Sequence, residues 1–167
     1  MNRVETQLYD AFLVFIREHQ QDFYRLAFRY VHCQEAALDV VQEALEKGLR
    51  GLTSLREPAY MKTWFYRILV NESLTYLRRH RREVLPFEEA LADLPAQPAP
   101  DRAEALDLYA AIDRLDPKLK TVVMLRFFED MKLAEIAQVT GANLNTVKSR
   151  LSTALRRLRL AMEEESL

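Results

Sequence analysis

Between Asn145 and Met162 the sequence carries five basic side chains, Lys148, Arg150, Arg156, Arg157 and Arg159, and no acidic one. A solvated helix normally mixes its signs and gains from opposite charges four residues apart. A helix of one sign therefore points to a polyanion on its outer side. Val147, Leu151, Leu155 and Leu158 recur at helical spacing and form the expected buried stripe. That leaves Asn145, Thr146, Lys148, Ser149 and Ser152 facing outward, with Arg150 at the flank and Arg156 a turn beyond. In a DNA major groove such a helix sets its N-terminal residues against base edges and its cations against phosphates. On these residues alone, a basic helix seated on a protein partner stays open as the plainer alternative.

A second group mixes rings and cations: Tyr60, Lys62, Trp64, Phe65, Tyr66, Arg67, Asn71 and Tyr76, then Arg78 and Arg79 in a run ending at Arg82. Aromatic rings stack on unpaired bases while cations follow the backbone, so the mixture suits single-stranded DNA. Trp64 and Phe65 are expected in the core, and Lys62, Tyr66 and Asn71 on the exposed face. Four arginines in the five positions Arg78–Arg82 exceed what a helix C-terminus needs to complement its dipole. A third group, Asp39-Val40-Val41-Gln42-Glu43, sets a carboxylate, an amide and a carboxylate along one polar side, either to dock a basic partner helix or simply to face water.

Catalytic chemistry has no foothold in the sequence. His19, His32 and His80 lie apart with no metal-ligand spacing, and there is no nucleophile motif, so no catalytic residue, metal or cofactor is expected. The single Cys33 makes neither an internal disulfide nor a zinc site, which fits a reducing, cytoplasmic setting. The longest apolar run, Ala11–Ile16, is far too short to span a membrane, and no secretory signal is evident. Three glycines leave no Gly-rich phosphate loop.

The elements that position these groups read as helices throughout, giving an all-α fold. Leu8, Phe12, Phe15 and Ile16, then Phe23, Leu26, Ala27 and Tyr30, follow helical spacing, as do Val40, Val41, Ala44 and Leu45. A further stretch, Met61, Phe65, Ile68, Leu69 to Leu77, is expected to begin near Glu57-Pro58. Together they predict an N-terminal bundle of three or four helices over residues 1–83. Over 101–167, an Asp101/Glu104 capping box opens one helix, Asp116-Pro117 a second through Phe128, and Lys132–Val139 forms a third ending at Thr140-Gly141. Asn143 caps a last helix through about Met162, which makes the final pair a helix-turn-helix. Residues 84–100, with Pro86, Pro95, Pro98 and Pro100, read as a linker.

Charge follows the same division. The formal net charge is −1, yet residues 1–82 hold 13 basic and 10 acidic side chains, 83–107 one and seven, and 108–167 ten and eight. Two basic blocks are separated by an acidic one, expected to discourage the free chain from binding random DNA.

With these residues in view, the chain resembles the extracytoplasmic-function group of bacterial sigma factors, the promoter-specificity subunits of RNA polymerase. The likeness runs through Ala37–Glu43, similar to region 2.2; Lys62–Asn71, similar to regions 2.3 and 2.4; and Asn145–Leu151, similar to region 4.2. It implies core RNA polymerase as a partner, with Asp39, Gln42 and Glu43 on the clamp helices of the β′ subunit and a further contact at the β flap. It implies that Ser54, Arg56, Tyr60, Lys62, Tyr66, Arg67, Asn71, Arg78 and Arg79 capture the melted −10 strand. It likewise sets Asn145, Thr146, Lys148, Ser149, Arg150, Ser152 and Arg156 on the −35 duplex. An anti-sigma factor is implied as a further partner, and no small-molecule substrate. The competing function is a stand-alone helix-turn-helix regulator, which would have no use for Asp39–Glu43.

Overall fold

A computed structural model describes residues 2–81 and 102–165, with the backbone alone at 102–106 and 165. The expected linker and the side chains of the Asp101/Glu104 capping box lie outside the described residues. The described chain is helical with no strand: α1 (Arg3–Val31), α2 (Gln34–Gly51), α3 (Met61–Arg79), α4 (Arg102–Asp113), α5 (Pro117–Phe127), α6 (Leu133–Thr140) and α7 (Leu144–Glu165). No described helix is long and apolar enough to cross a membrane.

The two apolar stretches expected at the N-terminus are one continuous helix, α1. Asn2 and Glu5 close a capping box at its start, the Glu5 amide donating to Asn2 Oδ1 at 2.8 Å. His32 ends it in the left-handed region at φ 57°. Phe12, Phe23, Phe65 and Leu69 are fully buried where α1 and α3 meet, and the Phe23 and Phe65 rings lie 4.7 Å apart between centroids. Removing such a ring costs about 3–5 kcal/mol. Helix α2 closes the bundle by approaching closely at Gly48, where a Cβ would lie 2.9 Å from the Phe12 ring. The segment before α3 begins at Pro58 as expected, but its first turn, Pro58–Tyr60, is a 3₁₀ turn capped by Glu57.

Helices α5 and α7 start on the residues that the sequence marks, and α7 runs on to Glu165, beyond the expected end near Met162. Asp116 caps α5, accepting from the Lys118 amide at 3.0 Å, and Asn143 Oδ1 accepts from the Thr146 amide at 2.8 Å to open α7. Gly141 ends α6 at φ 72°, the left-handed conformation glycine adopts freely. Of the expected stripe, Val147 and Leu158 are buried and Leu151 is half-buried. Leu155 is 43% exposed, because the stripe drifts round the helix and Ala154 takes the inward position.

The two groups of helices share a core. Helix α6 lies along α3, and Met131, Ile136, Val139 and Val147 belong to the same buried cluster as Phe65, Tyr66 and Leu69.

Candidate nucleic-acid interface

Helix α2 presents Asp39, Gln42 and Glu43 to solvent at the i, i+3, i+4 spacing of one helical face. Exposed Leu38 and Leu49 flank them. Arg50 stands 4.0 Å from Glu43, too exposed and too distant to neutralise it. The result is an outward acidic face with apolar margins.

The turn before α3 and the helix itself hold the second group. Ser54, Arg56 and Tyr60 are exposed, with Ser54 Oγ donating to the Gly51 carbonyl at 2.6 Å. Lys62 is half-buried, and Arg67, Asn71, Arg78 and Arg79 are exposed. Phe65 is in the core as expected, whereas Trp64 is only half-buried and packs edge-on against Phe12. Tyr66 departs from expectation. It is 1% exposed, and its hydroxyl donates to Glu129 Oε2 at 2.8 Å. The cause is tertiary, since the segment joining α5 to α6 covers that face of α3. Beside it a hollow of about 280 Å³ is lined by Leu55, Tyr60, Thr63, Trp64, Arg67 and, from α6, Gln138.

The third group falls on α7. Asn145, Lys148, Ser149, Ser152 and Arg156 are exposed along one face, while Thr146 and Arg150 are half-buried at its edges. The face opens at a helix N-terminus whose backbone N–H groups add to its positive potential. Among the described residues no three His, Cys, Asp or Glu side chains converge on a metal position.

A polar cluster that the sequence did not reveal joins α1 to the C-terminal helices. His32 Nε2 lies 2.8 Å from Asp113 Oδ1 and 2.9 Å from the Arg29 carbonyl oxygen. Two acceptors around one nitrogen mean that Nε2 carries the hydrogen. Lys120 Nζ donates to the same Asp113 oxygen at 2.9 Å. Burial pushes the Asp113 carboxyl up, but the His32 and Lys120 hydrogen bonds outweigh it and hold the group down at about 2. Thr121 gives its proton to the Pro117 carbonyl and accepts from the buried Tyr30 hydroxyl, 2.5 Å away. The Arg29 guanidinium lies 3.8 Å from the Phe128 ring centroid and 5.7 Å from that of Tyr109. Glu129, pressed between α1 and α3, is pushed up to about 7 by burial. The Tyr66–Glu129 and Tyr30–Thr121 partners lie 63 and 91 residues apart, so no helical periodicity could have paired them.

The geometry thus offers an acidic face on α2, a ring-and-cation face on α3 and a basic face on α7. Residues 15–83 match the family model for sigma-70 region 2 and residues 105–158 that for sigma-70 region 4. The chain belongs to the extracytoplasmic-function group of the sigma-70 family. It is 44% identical over 152 residues to the RNA polymerase sigma factor SigV of Bacillus subtilis, covering 91% of each chain. It is 32% identical over 151 residues to the sigma factor SigM of Mycobacterium tuberculosis, covering 89% of this chain and 75% of that one. Among solved structures, the sigma factor RpoE bound to the anti-sigma factor NepR from Bartonella quintana shares its fold, with a TM-score of 0.72 at 22% identity over 91% of this chain and 96% of that one. So does CnrH in complex with the cytosolic domain of CnrY, with a TM-score of 0.70 at 20% identity over 92% and 88%. A sigma factor of this group binds core RNA polymerase and directs promoter-specific initiation, which favours that function over a stand-alone regulator.

Proposed function

We propose that this sigma factor selects promoters with three separate faces and no chemistry of its own, and that it works in the cytoplasm. Residues 1–83 hold polymerase and the −10 strand, residues 101–167 hold the −35 duplex, and 84–100 tether the two. The outward acidic face of α2, with Asp39, Gln42 and Glu43, takes the clamp helices of the β′ subunit, and the C-terminal helices meet the β flap. The exposed row Asn145, Lys148, Ser149, Ser152 and Arg156, with Thr146 and Arg150 at its margins, sits in the major groove of the −35 element.

The observation that carries the reading is the hollow beside α3. Tyr60, Trp64 and Arg67 give it two rings and a cation at the N-terminal end of a helix that continues to Asn71, Arg78 and Arg79. One extruded base of the −10 strand enters it, and the exposed Ser54 and Arg56 of the preceding segment contact the same strand. Stacking of about 1–3 kcal/mol per base offsets an unstacking cost of a few kcal/mol. Each DNA contact is weak alone, and the tether raises the effective concentration of the second once the first has formed. The solved RpoE structure of the same fold is bound to the anti-sigma factor NepR, and regulation by an anti-sigma factor is proposed here.

Substitutions test the division of labour. Lys148→Ala weakens initiation that depends on the −35 element while polymerase binding stays intact. Asp39→Lys removes polymerase binding while the helical spectrum is unchanged. Loss of polymerase binding by Lys148→Ala contradicts the assignment.

A further inference from the structure

A second hollow lies at the other end of α3, between its last turns, the end of α1 and the turn from α4 to α5. Its volume is about 530 Å³, within the range of about 300–1,000 Å³ in which proteins hold drug-sized ligands. The wall divides by chemistry. Leu74, Leu77 and Leu115 give an apolar side. Arg78, Arg81 and Lys120 give three cations, with His32 beside them. Asp113 is the one acid among the described lining residues, and its Oδ1 already accepts from Lys120 at 2.9 Å and lies 2.8 Å from His32 Nε2. Three cations against one carboxylate leave two positive charges uncompensated, even with His32 neutral. Arg78 and Arg81 are exposed and have no acidic partner among the described residues. Lys120 is only 5% exposed. Burial disfavours its charge, and Asp113 restores it only in part. An ammonium has three N–H donors, and Asp113 takes one of them.

We propose that this hollow binds a small phosphate monoester with an apolar or aromatic body, a ligand separate from polymerase and promoter DNA. Such a phosphate carries about −1.5 to −2 charge near pH 7, which matches the two uncompensated cations. A carboxylate or a phosphodiester brings only one charge. The phosphate oxygens accept charge-assisted hydrogen bonds from Arg78, Arg81 and the remaining donors of Lys120, while the body of the ligand covers Leu74, Leu77 and Leu115. The buried Lys120 thereby gains a second anion where water is excluded and the attraction is stronger than at the surface. The site also gives Arg81 a role, which the −10 reading leaves without one. Arg78 belongs to both readings, so the test leaves it untouched.

The test is isothermal titration calorimetry of the full-length chain in phosphate-free buffer. The probe is 1-naphthyl phosphate, compared with its two halves, 1-naphthol and inorganic phosphate, and with 1-naphthoate, the same body on a carboxylate. One molecule of 1-naphthyl phosphate is expected per chain, bound about 10- to 100-fold more tightly than either half and more tightly than 1-naphthoate. Arg81→Ala should weaken it about 3- to 10-fold and leave 1-naphthol unchanged. Lys120→Met, which keeps an apolar stem, should weaken it about tenfold or more. Arg81 is exposed, so its variant carries the test if Lys120→Met does not fold. Arg157→Ala, at an exposed position of α7 outside the hollow, should change nothing. Binding of 1-naphthyl phosphate no tighter than that of its halves overturns the proposal. So does equal weakening by Arg81→Ala and Arg157→Ala, which reports general attraction to a basic surface. Full displacement of the probe by a randomised 12-nucleotide single strand assigns the hollow to DNA and likewise overturns it.

Discussion

Replacing Glu129 with glutamine is expected to stabilise the protein, and only above acidic pH. The carboxyl lies between α1 and α3; burial, and then Asp22, push it up to about 7 against the Tyr66 hydrogen bond and the charges of Arg29 and Lys62. The displacement from the ordinary carboxylate range is two to three units, about 3–4 kcal/mol at 1.36 kcal/mol per unit. Because the side chain is part-exposed, solvent screening reduces the usable figure to about 1–2 kcal/mol. The folded value is the raised one, so stability is intact below the ordinary carboxylate range and is lost as pH climbs through about 7. Asp113 works in the opposite sense, but its folded value of about 2 places its loss below this window. Glutamine keeps an acceptor for the Tyr66 hydroxyl and carries no charge. Melting curves followed by far-ultraviolet circular dichroism should therefore coincide for the two proteins at about pH 4.5 and separate by roughly 2–8 °C at about pH 8, with the variant higher. A difference that stays constant across that range would refute the placement of Glu129 as a half-buried carboxylate whose charge is disfavoured.

Other outcomes follow from the same geometry. Lys148→Ala should weaken binding to −35 duplex by about 5- to 30-fold and lower the salt dependence by about one counterion, measured by anisotropy titrations of holoenzyme at several ionic strengths. Glu43→Lys should abolish co-purification with core polymerase while leaving the melting temperature within about 2 °C, since the side chain is exposed on α2. Gly48→Ala drives a methyl group to 2.9 Å from the Phe12 ring, so it should cost about 1–3 kcal/mol in chemical denaturation. Asn143→Ala should cost about 1 kcal/mol by removing the cap of α7.

Much of the fold is legible in the sequence because its signals are local. Asn143, Asp116-Pro117 and Gly141 mark helix ends through bonds made within a few residues, and each holds in the structure. The outward faces of α2 and α7 follow from helical spacing alone, which is why Asp39, Gln42, Glu43, Lys148 and Ser152 stand exposed together. Leu155 shows where the rule weakens: over three turns the 3.6-residue period drifts off a fixed stripe, and Ala154 with Leu158 becomes the buried edge. Tyr66 shows a different limit. Its position on α3 allows either face, and only Glu129, 63 residues away, decides that it is covered. Arg29, His32, Asp113 and Lys120 carry no local signal in the sequence that groups them. Only tertiary packing brings the His32 imidazole and the Lys120 ammonium to one carboxylate, Asp113.

The central claim is that this chain gives core RNA polymerase its promoter specificity. Run-off transcription with core enzyme on a promoter library, with and without the chain, tests it most directly. The expected result is transcripts that appear only with the chain, start at a common pair of spaced elements and weaken at the −35 element in Lys148→Ala. Absence of any chain-dependent transcript, together with absence of binding to core polymerase, would contradict the account.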